Sequence, residues 1–202
     1  MRLIHTAKQN TDSGVEVAQL GELEQELKRV KRQSRFGSLL RSTVYTLIVV
    51  AACAVLVAVL FMPVLRIYGS SMTPTLTEGE IVISVKGVDI QRGDIVGVYL
   101  GSKLLIKRCI ATEHQWVNIT EDGTVYVDGV ALDEPYVSEK ALGVCDIEMP
   151  YQVPDTSIFV LGDHRETSVD SRSSTVGCID VEEIVGKIVF RAWPLRRFGA
   201  VN

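Results

Sequence analysis

The sequence predicts a mainly β domain, an antiparallel barrel or sandwich with a small inserted β-hairpin region. An N-terminal amphipathic helix and one transmembrane helix precede it. Three observations carry this expectation. An uncharged run, TVYTLIVVAACAVLVAVLFMPVL, fills residues 43–65. After it, short segments rich in branched apolar residues recur between Gly and Asp punctuation. No long helical period overlaps them.

At 202 residues the chain has room for one ordinary domain plus appendages. Its net charge of −4 is mild and argues against nucleic acid as a general partner. Residues 1–42 are expected to form a cytoplasmic segment. Between Val15 and Arg35, apolar residues fall at Val17, Leu20, Leu23, Leu27 and Val30, a helical stripe of threes and fours. The plain reading is an amphipathic helix lying on an anionic leaflet. A coiled coil with a partner is the sharper reading, and two heptads are too few to require it.

Residues 43–65 are expected to be the anchor. As a helix the run reaches roughly 35 Å, against a hydrocarbon core of about 30 Å. A buried core helix is disfavoured by the complete absence of charge. A cleaved signal peptide would have an apolar stretch of about 7–15 residues nearer the start. Lys28, Arg29, Lys31, Arg32, Arg35 and Arg41 precede the run, and the lone Arg66 comes after it. That asymmetry puts the N-terminus in the cytoplasm of a single-pass cell-membrane protein. The lipid bilayer is therefore one expected partner, and residues 66–202 lie outside.

The outer domain reads as strands in IVISV (81–85), DIVGVYL (94–100), KLLIKRCI (103–110), SIFVLG (157–162) and EIVGKIVFRAW (183–193). Residues 112–156 are weaker in pattern and read as an insertion, with a hairpin signalled by Asp128-Gly129. In FRAWPLRRFG (190–199), the rings of Phe190, Trp193 and Phe198 lie among arginines. This is either a headgroup contact or a closing strand with a basic tail. Cys53 lies in the span, and Cys109, Cys145 and Cys178 in the outer domain. At most one internal disulfide can form there, and an oxidising compartment would permit Cys145–Cys178. No Cys/His spacing suits a metal, so neither metal nor cofactor is expected.

The chemistry centres on GSSMTPTL (69–76), directly after the span. A serine nucleophile needs a base and donors for an oxyanion. His114 and His164 sit in no recognisable serine motif, and a surface histidine is the plain reading of each. A lysine serves instead if its pKa falls from about 10.4 towards 7 or 8, which desolvation on an apolar strand achieves. Lys107, in LLIKRCI, alternates with Leu105 and Cys109 on one face. Ile106, Arg108 and Ile110 take the other. The commonplace alternative is an outward strand lysine.

Four blocks in order, GSSMTPTL, RGDIV (92–96), IKR (106–108) and GDHRETSVDSR (162–172), resemble bacterial type I signal peptidase in its single-span, Gram-positive-like form. The resemblance covers about residues 65–193. It implies a signal-peptidase-like β fold and a serine–lysine dyad: Ser71, before Met-x-Pro, as nucleophile and Lys107 as general base. It implies that Ser168 orients the lysine and that Asp170 and Arg172 form a supporting ion pair. Asp163 and Arg165 read as structural. The Ser71 backbone N–H would contribute to the oxyanion hole. Gly69 stands where other members carry a hydroxyl, and Ser70 is a bystander. Two departures are visible: ATEHQ replaces a Gly-x-Pro-Gly-Asp turn, and His164 stands where asparagine is more frequent.

The implied substrates are exported preproteins with small residues before the cleavage site. Two other readings remain beside this one. One is a specialised or non-catalytic relative that assists pilus or surface-protein assembly. The other is a self-cleaving repressor with a related dyad, which would need a DNA-binding domain and no anchor.

Overall fold

The computed structural model describes residues 39–101 and 103–201, with the isolated positions Arg29 and Gly37. Apart from Arg29, the amphipathic helix expected over 15–35 lies outside the described residues. The chain divides into two units, Met1–Leu56 and Val57–Asn202.

A helix, α1, runs from Leu39 to Phe61 and is long and apolar enough to cross a membrane. None of its apolar stretch is buried inside the protein. An apolar helix of this length with no protein around it calls for lipid. Its two threonine hydroxyls bond back to the preceding turn: Thr43 Oγ1 donates to Leu39 O at 3.0 Å and Thr46 Oγ1 to Ser42 O at 2.9 Å.

The helix and the uncharged run 43–65 do not coincide. The helix begins earlier and takes in Arg41. It ends at Phe61 because Pro63 lacks an N–H and drives Met62 out of the helical region. The last residues of the run belong instead to strand β1, Val64–Arg66. Leu65, expected in the span, is buried in the β domain's core.

The remaining strands are β2 (Ile81–Val85), β3 (Ile95–Leu100), β4 (Lys103–Ala111), β5 (Trp116–Ile119), β6 (Val125–Val127), β7 (Val130–Ala131), β8 (Tyr151–Gln152), β9 (Ser157–Leu161), β10 (Ile179–Asp180), β11 (Ile184–Trp193) and β12 (Gly199–Ala200). Among the described residues they make two antiparallel sheets. The larger runs β1-β2-β11-β3-β4-β9-β10, with β12 paired to β11. The smaller runs β7-β6-β5-β8 and lies wholly within residues 112–156. Its hairpin turns at Asp128 and Gly129, with φ of 52° and 80°. Positive φ at both central residues matches the right-handed twist of the flanking strands.

Three apolar clusters fill the domain. Leu65, Met72, Leu76, Val82, Ile106 and Ile188 form the first. Val96, Val98, Cys109, Ile158, Val160 and Ile179 form the second. The third joins the sheets, with Ile110, Phe159 and Leu161 from the large one against Val117, Val125 and Val127 from the small one. β4 contributes to all three, and from Ile106 to Ala111 it is buried on both faces. All four cysteines are free thiols, so Cys145 and Cys178 are not joined.

Leu76 is fully buried in the first cluster. Leu76→Ala should destabilise the domain by about 2–5 kcal/mol. Denaturant unfolding of the full chain in detergent, tracked by tryptophan fluorescence, measures the loss.

Candidate active site

The site is assembled from three segments: the loop between β1 and β2, strand β4, and the loop after β9. The first carries Ser71. Gly69 enters this loop at φ +79° and Gly79 leaves it at φ +86°, a region that favours glycine. Between them Thr73 N donates to Ser70 O at 3.0 Å and Leu76 N to Met72 O at 2.8 Å. Met72 and Leu76 plug the loop into the core. Ser71, directly before Met72, stays partly exposed. Its N–H has no backbone acceptor among the described residues. Ser70 is exposed and spends its carbonyl on Thr73.

Lys107 is 3% exposed at the middle of β4. Residues two places either side, Leu105 and Cys109, lie in one apolar cluster with Val96, Val98 and Val160. The outward lysine is thereby excluded. Burial lowers its pKa from 10.5 to about 8; Asp170 and Asp163 oppose the shift and Arg172 assists it. Desolvation wins because the carboxylates are already engaged by arginines. Lys107 Nζ donates to Ser168 Oγ at 2.9 Å.

Ser168, Asp170 and Arg172 are all buried in the loop after β9. Gly162 begins this loop, and a Cβ there would overlap both the Ser168 hydroxyl and the Ser71 carbonyl. The absent side chain thus lets the Lys107–Ser168 pair meet the Ser71 segment. His164 N adds a direct tie, donating to Ser71 O at 3.1 Å. The His164 ring is hydrogen-bonded locally, Nδ1 to Thr167 Oγ1 at 2.8 Å.

Arginine–carboxylate pairs hold the three segments. Arg172 grips Asp170 through Nε at 2.8 Å and Nη2 at 2.8 Å. Asp170 Oδ2 also accepts from Gly162 N at 3.0 Å. Arg108 grips Asp163 through Nε at 3.0 Å and Nη2 at 2.9 Å, while Thr75 Oγ1 donates to the same carboxylate at 2.5 Å. Arg108 Nη1 reaches Gly93 O at 2.8 Å, which gives the RGDIV block its place beside the site. Arg165 pairs with Glu134 through Nη1 at 3.1 Å and Nη2 at 2.5 Å.

Glu134 and Tyr136 carry parts of this network that no motif in the sequence marks, and Thr75 and Gly162, though inside motif blocks, have no role implied there. Glu134 lies in the small-sheet segment, 31 positions before Arg165. Tyr136 stacks under the Arg108 guanidinium at 3.8 Å. Neither has a local pattern that announces a distant arginine. Gly162 could have been found, since a glycine closing an apolar strand marks close backbone approach. His114, in the departing segment ATEHQ, turns the chain at φ +66° and pairs with Asp155 at the surface.

Residues 40–193 match the profile of a family described as signal peptidase, peptidase S26. Signal peptidase I of Bacillus licheniformis is 34% identical over 165 residues, covering 75% of this chain and 87% of that protein. Signal peptidase IB of Staphylococcus aureus strain Mu50 is 35% identical over 153 residues, covering 65% of this chain and 78% of that protein. A crystal structure of a signal peptidase I from Enterococcus faecalis aligns with a TM-score of 0.41 at 27% identity. That alignment covers 50% of this chain and 97% of that one.

Glu134→Ala should destabilise the domain by about 3–5 kcal/mol, because it strands the buried Arg165 charge. Replacing Glu134 and Arg165 together by methionine should be much less damaging. Denaturation midpoints of the two variants against the parent chain decide this.

Proposed function

The chain belongs to the signal peptidase, peptidase S26, family and is a membrane-anchored enzyme that removes signal peptides from preproteins; on that premise we propose that Ser71 and Lys107 carry its chemistry. The observation that bears most weight is the buried Lys107, desolvated to a pKa of about 8 and hydrogen-bonded to Ser168 beside the Ser71 segment.

Neutral Lys107 Nζ takes the proton from Ser71 Oγ as that oxygen attacks the scissile carbonyl. The developing oxyanion lies against the Ser71 N–H, which is free of backbone acceptors among the described residues. Protonated Lys107 then gives its proton to the leaving amine, and the peptide bond breaks to an acyl-enzyme. A water, deprotonated by Lys107, attacks the ester and restores Ser71. Ser168 fixes the amine's direction through the cycle. Asp170 and Arg172 fix the loop that carries Ser168, since Arg172 also donates to the carbonyls of Leu142 at 2.5 Å and Arg165 at 2.8 Å. Gly69 supplies only backbone freedom to the oxyanion loop.

The preprotein is expected to lie extended beside the site, with small residues at the first and third positions before the cut. The proposed domains are a cytoplasmic segment, an anchor built on α1, and an extracytoplasmic peptidase domain with 112–156 inserted. The basic cluster between Lys28 and Arg41 supports this orientation in a cell membrane. The bilayer is then a partner through α1.

Ser71→Ala and Lys107→Ala should each lower preprotein cleavage in detergent by about 10⁴-fold or more. Persistent cleavage by Ser71→Ala, with loss in Ser70→Ala, would overturn the assignment. Since the neutral amine is the active form, kcat/KM should rise tenfold per pH unit below about 8 and level off above it. A profile that climbs steadily to pH 10 would rule out a desolvated lysine base.

A further inference from the structure

The C-terminal tail beyond β11 reaches the loop that carries Ser71, and the chain itself shows how it is held there. Phe198 packs edge-on against Phe190, with ring centroids 4.8 Å apart. β12 pairs with β11, and Arg191 Nη1 donates to Arg197 O at 3.4 Å. This fixes Arg197 over the middle of the Ser71 loop. Its Nη2 donates to Pro74 O and to Thr75 O, each at 3.3 Å. Its Nη1 meets Glu80 Oε1 at 2.7 Å and Thr77 Oγ1 at 3.5 Å. Arg191 Nη2 donates to the same Thr75 carbonyl at 2.6 Å.

Glu80 is the centre of this cluster. It is 2% exposed, which is rare for a carboxylate without paired charge. Two arginines and the Thr77 hydroxyl surround it. Arg191 Nε and Glu80 Oε2 meet at 2.9 Å as charges, without a well-aimed hydrogen bond. Arg197 completes the pairing from the solvent side, with 39% of its side chain exposed. The loop is thus gripped from two sides. Asp163 and His164 hold its Thr75 hydroxyl and its Ser71 carbonyl. Arg191 and Arg197 hold the carbonyls of Pro74 and Thr75.

Thr75 is the residue both grips share, four positions after Ser71. Without Arg197, the carbonyls of Pro74 and Thr75 lose a charged donor and Glu80 loses one of its two cations. The loop then retains its core plugs, Met72 and Leu76, and loses lateral restraint. This predicts a loop that folds but presents Ser71 less accurately, and misplacement by about 1 Å can reduce rate by about 100-fold. Arg197 lies outside residues 40–193, the stretch matched by the family profile.

We propose that Arg197, acting with Arg191 through Glu80, is a positioning residue that sets the attack geometry of Ser71, making the C-terminal tail a working part of the site. This rests on the reading of Ser71 as nucleophile.

The test uses the full chain in detergent with a preprotein substrate, comparing wild type, Arg197→Ala, Arg197→Gln, Ser71→Ala and Ser168→Ala. Arg197→Ala should lower kcat by about 10- to 100-fold with KM within about twofold. Its pH inflection should stay at the wild-type value, because Lys107 is untouched, whereas Ser168→Ala should move that inflection. Millimolar methylguanidinium should restore part of the Arg197→Ala rate and leave Ser71→Ala inactive. Arg197→Gln, which keeps a donor but not the charge, should fall between wild type and Arg197→Ala and covers the case in which the alanine variant fails to fold.

Wild-type kcat per folded molecule in both Arg197 variants, or a moved pH inflection, would overturn the proposal while the Ser71 reading stands. Cleavage by Ser71→Ala would overturn both.

Discussion

One buried carboxylate sets the geometry on which the rest of the site depends. Asp163 accepts two bonds from Arg108, next to Lys107, and one from Thr75, four residues after Ser71. It belongs to the loop that delivers Ser168 to Lys107. Three segments far apart in sequence therefore meet at one group that is 1% exposed. A charge so buried is tolerable only when paired and hydrogen-bonded, so satisfying Asp163 brings the segments together. Arg172–Asp170 and Arg165–Glu134 repeat the device around the same loop, and the second fastens the small sheet to it.

The same packing that holds the arginines lowers the lysine's pKa to about 8. β4 is buried on both faces from Ile106 onward, and Lys107 has the Ser168 hydroxyl as its hydrogen-bond partner. Arg108, one residue on, meets a carboxylate in bidentate geometry, with a tyrosine ring beneath it. Adjacent cations on one strand thus have opposite roles. The difference lies in their partners, a neutral hydroxyl for one and a carboxylate for the other. Guanidinium is suited to the paired place and a primary amine to the unpaired one, since only the amine deprotonates near neutral pH.

Much of the fold was legible. The branched apolar segments at 81–85, 94–100, 103–110, 157–162 and 183–193 each contain a strand. Asp128-Gly129 marked its turn because two positive φ values leave few residue choices. Short strands such as β8, β10 and β12 were not legible. Two residues carry no period, and their pairing partners decide them. The helix boundary differs from the uncharged run for a related reason. Absence of charge continues through Leu65, but Pro63 stops the helix and the sheet recruits Val64, Leu65 and Arg66.

By itself the sequence determined that an uncharged stretch long enough to span a bilayer precedes an antiparallel β domain, and the family resemblance of its ordered motifs implied a serine, a lysine and a loop as reactive candidates. It could do so because hydrophobic period, turn chemistry and motif order are local properties of the chain. Only the tertiary structure decided that Lys107 is buried and not outward, and that Glu134, Thr75, Glu80 and Arg197 hold the surroundings. Desolvation and ion pairing depend on which side chains from distant segments share a volume, and no local pattern encodes that meeting.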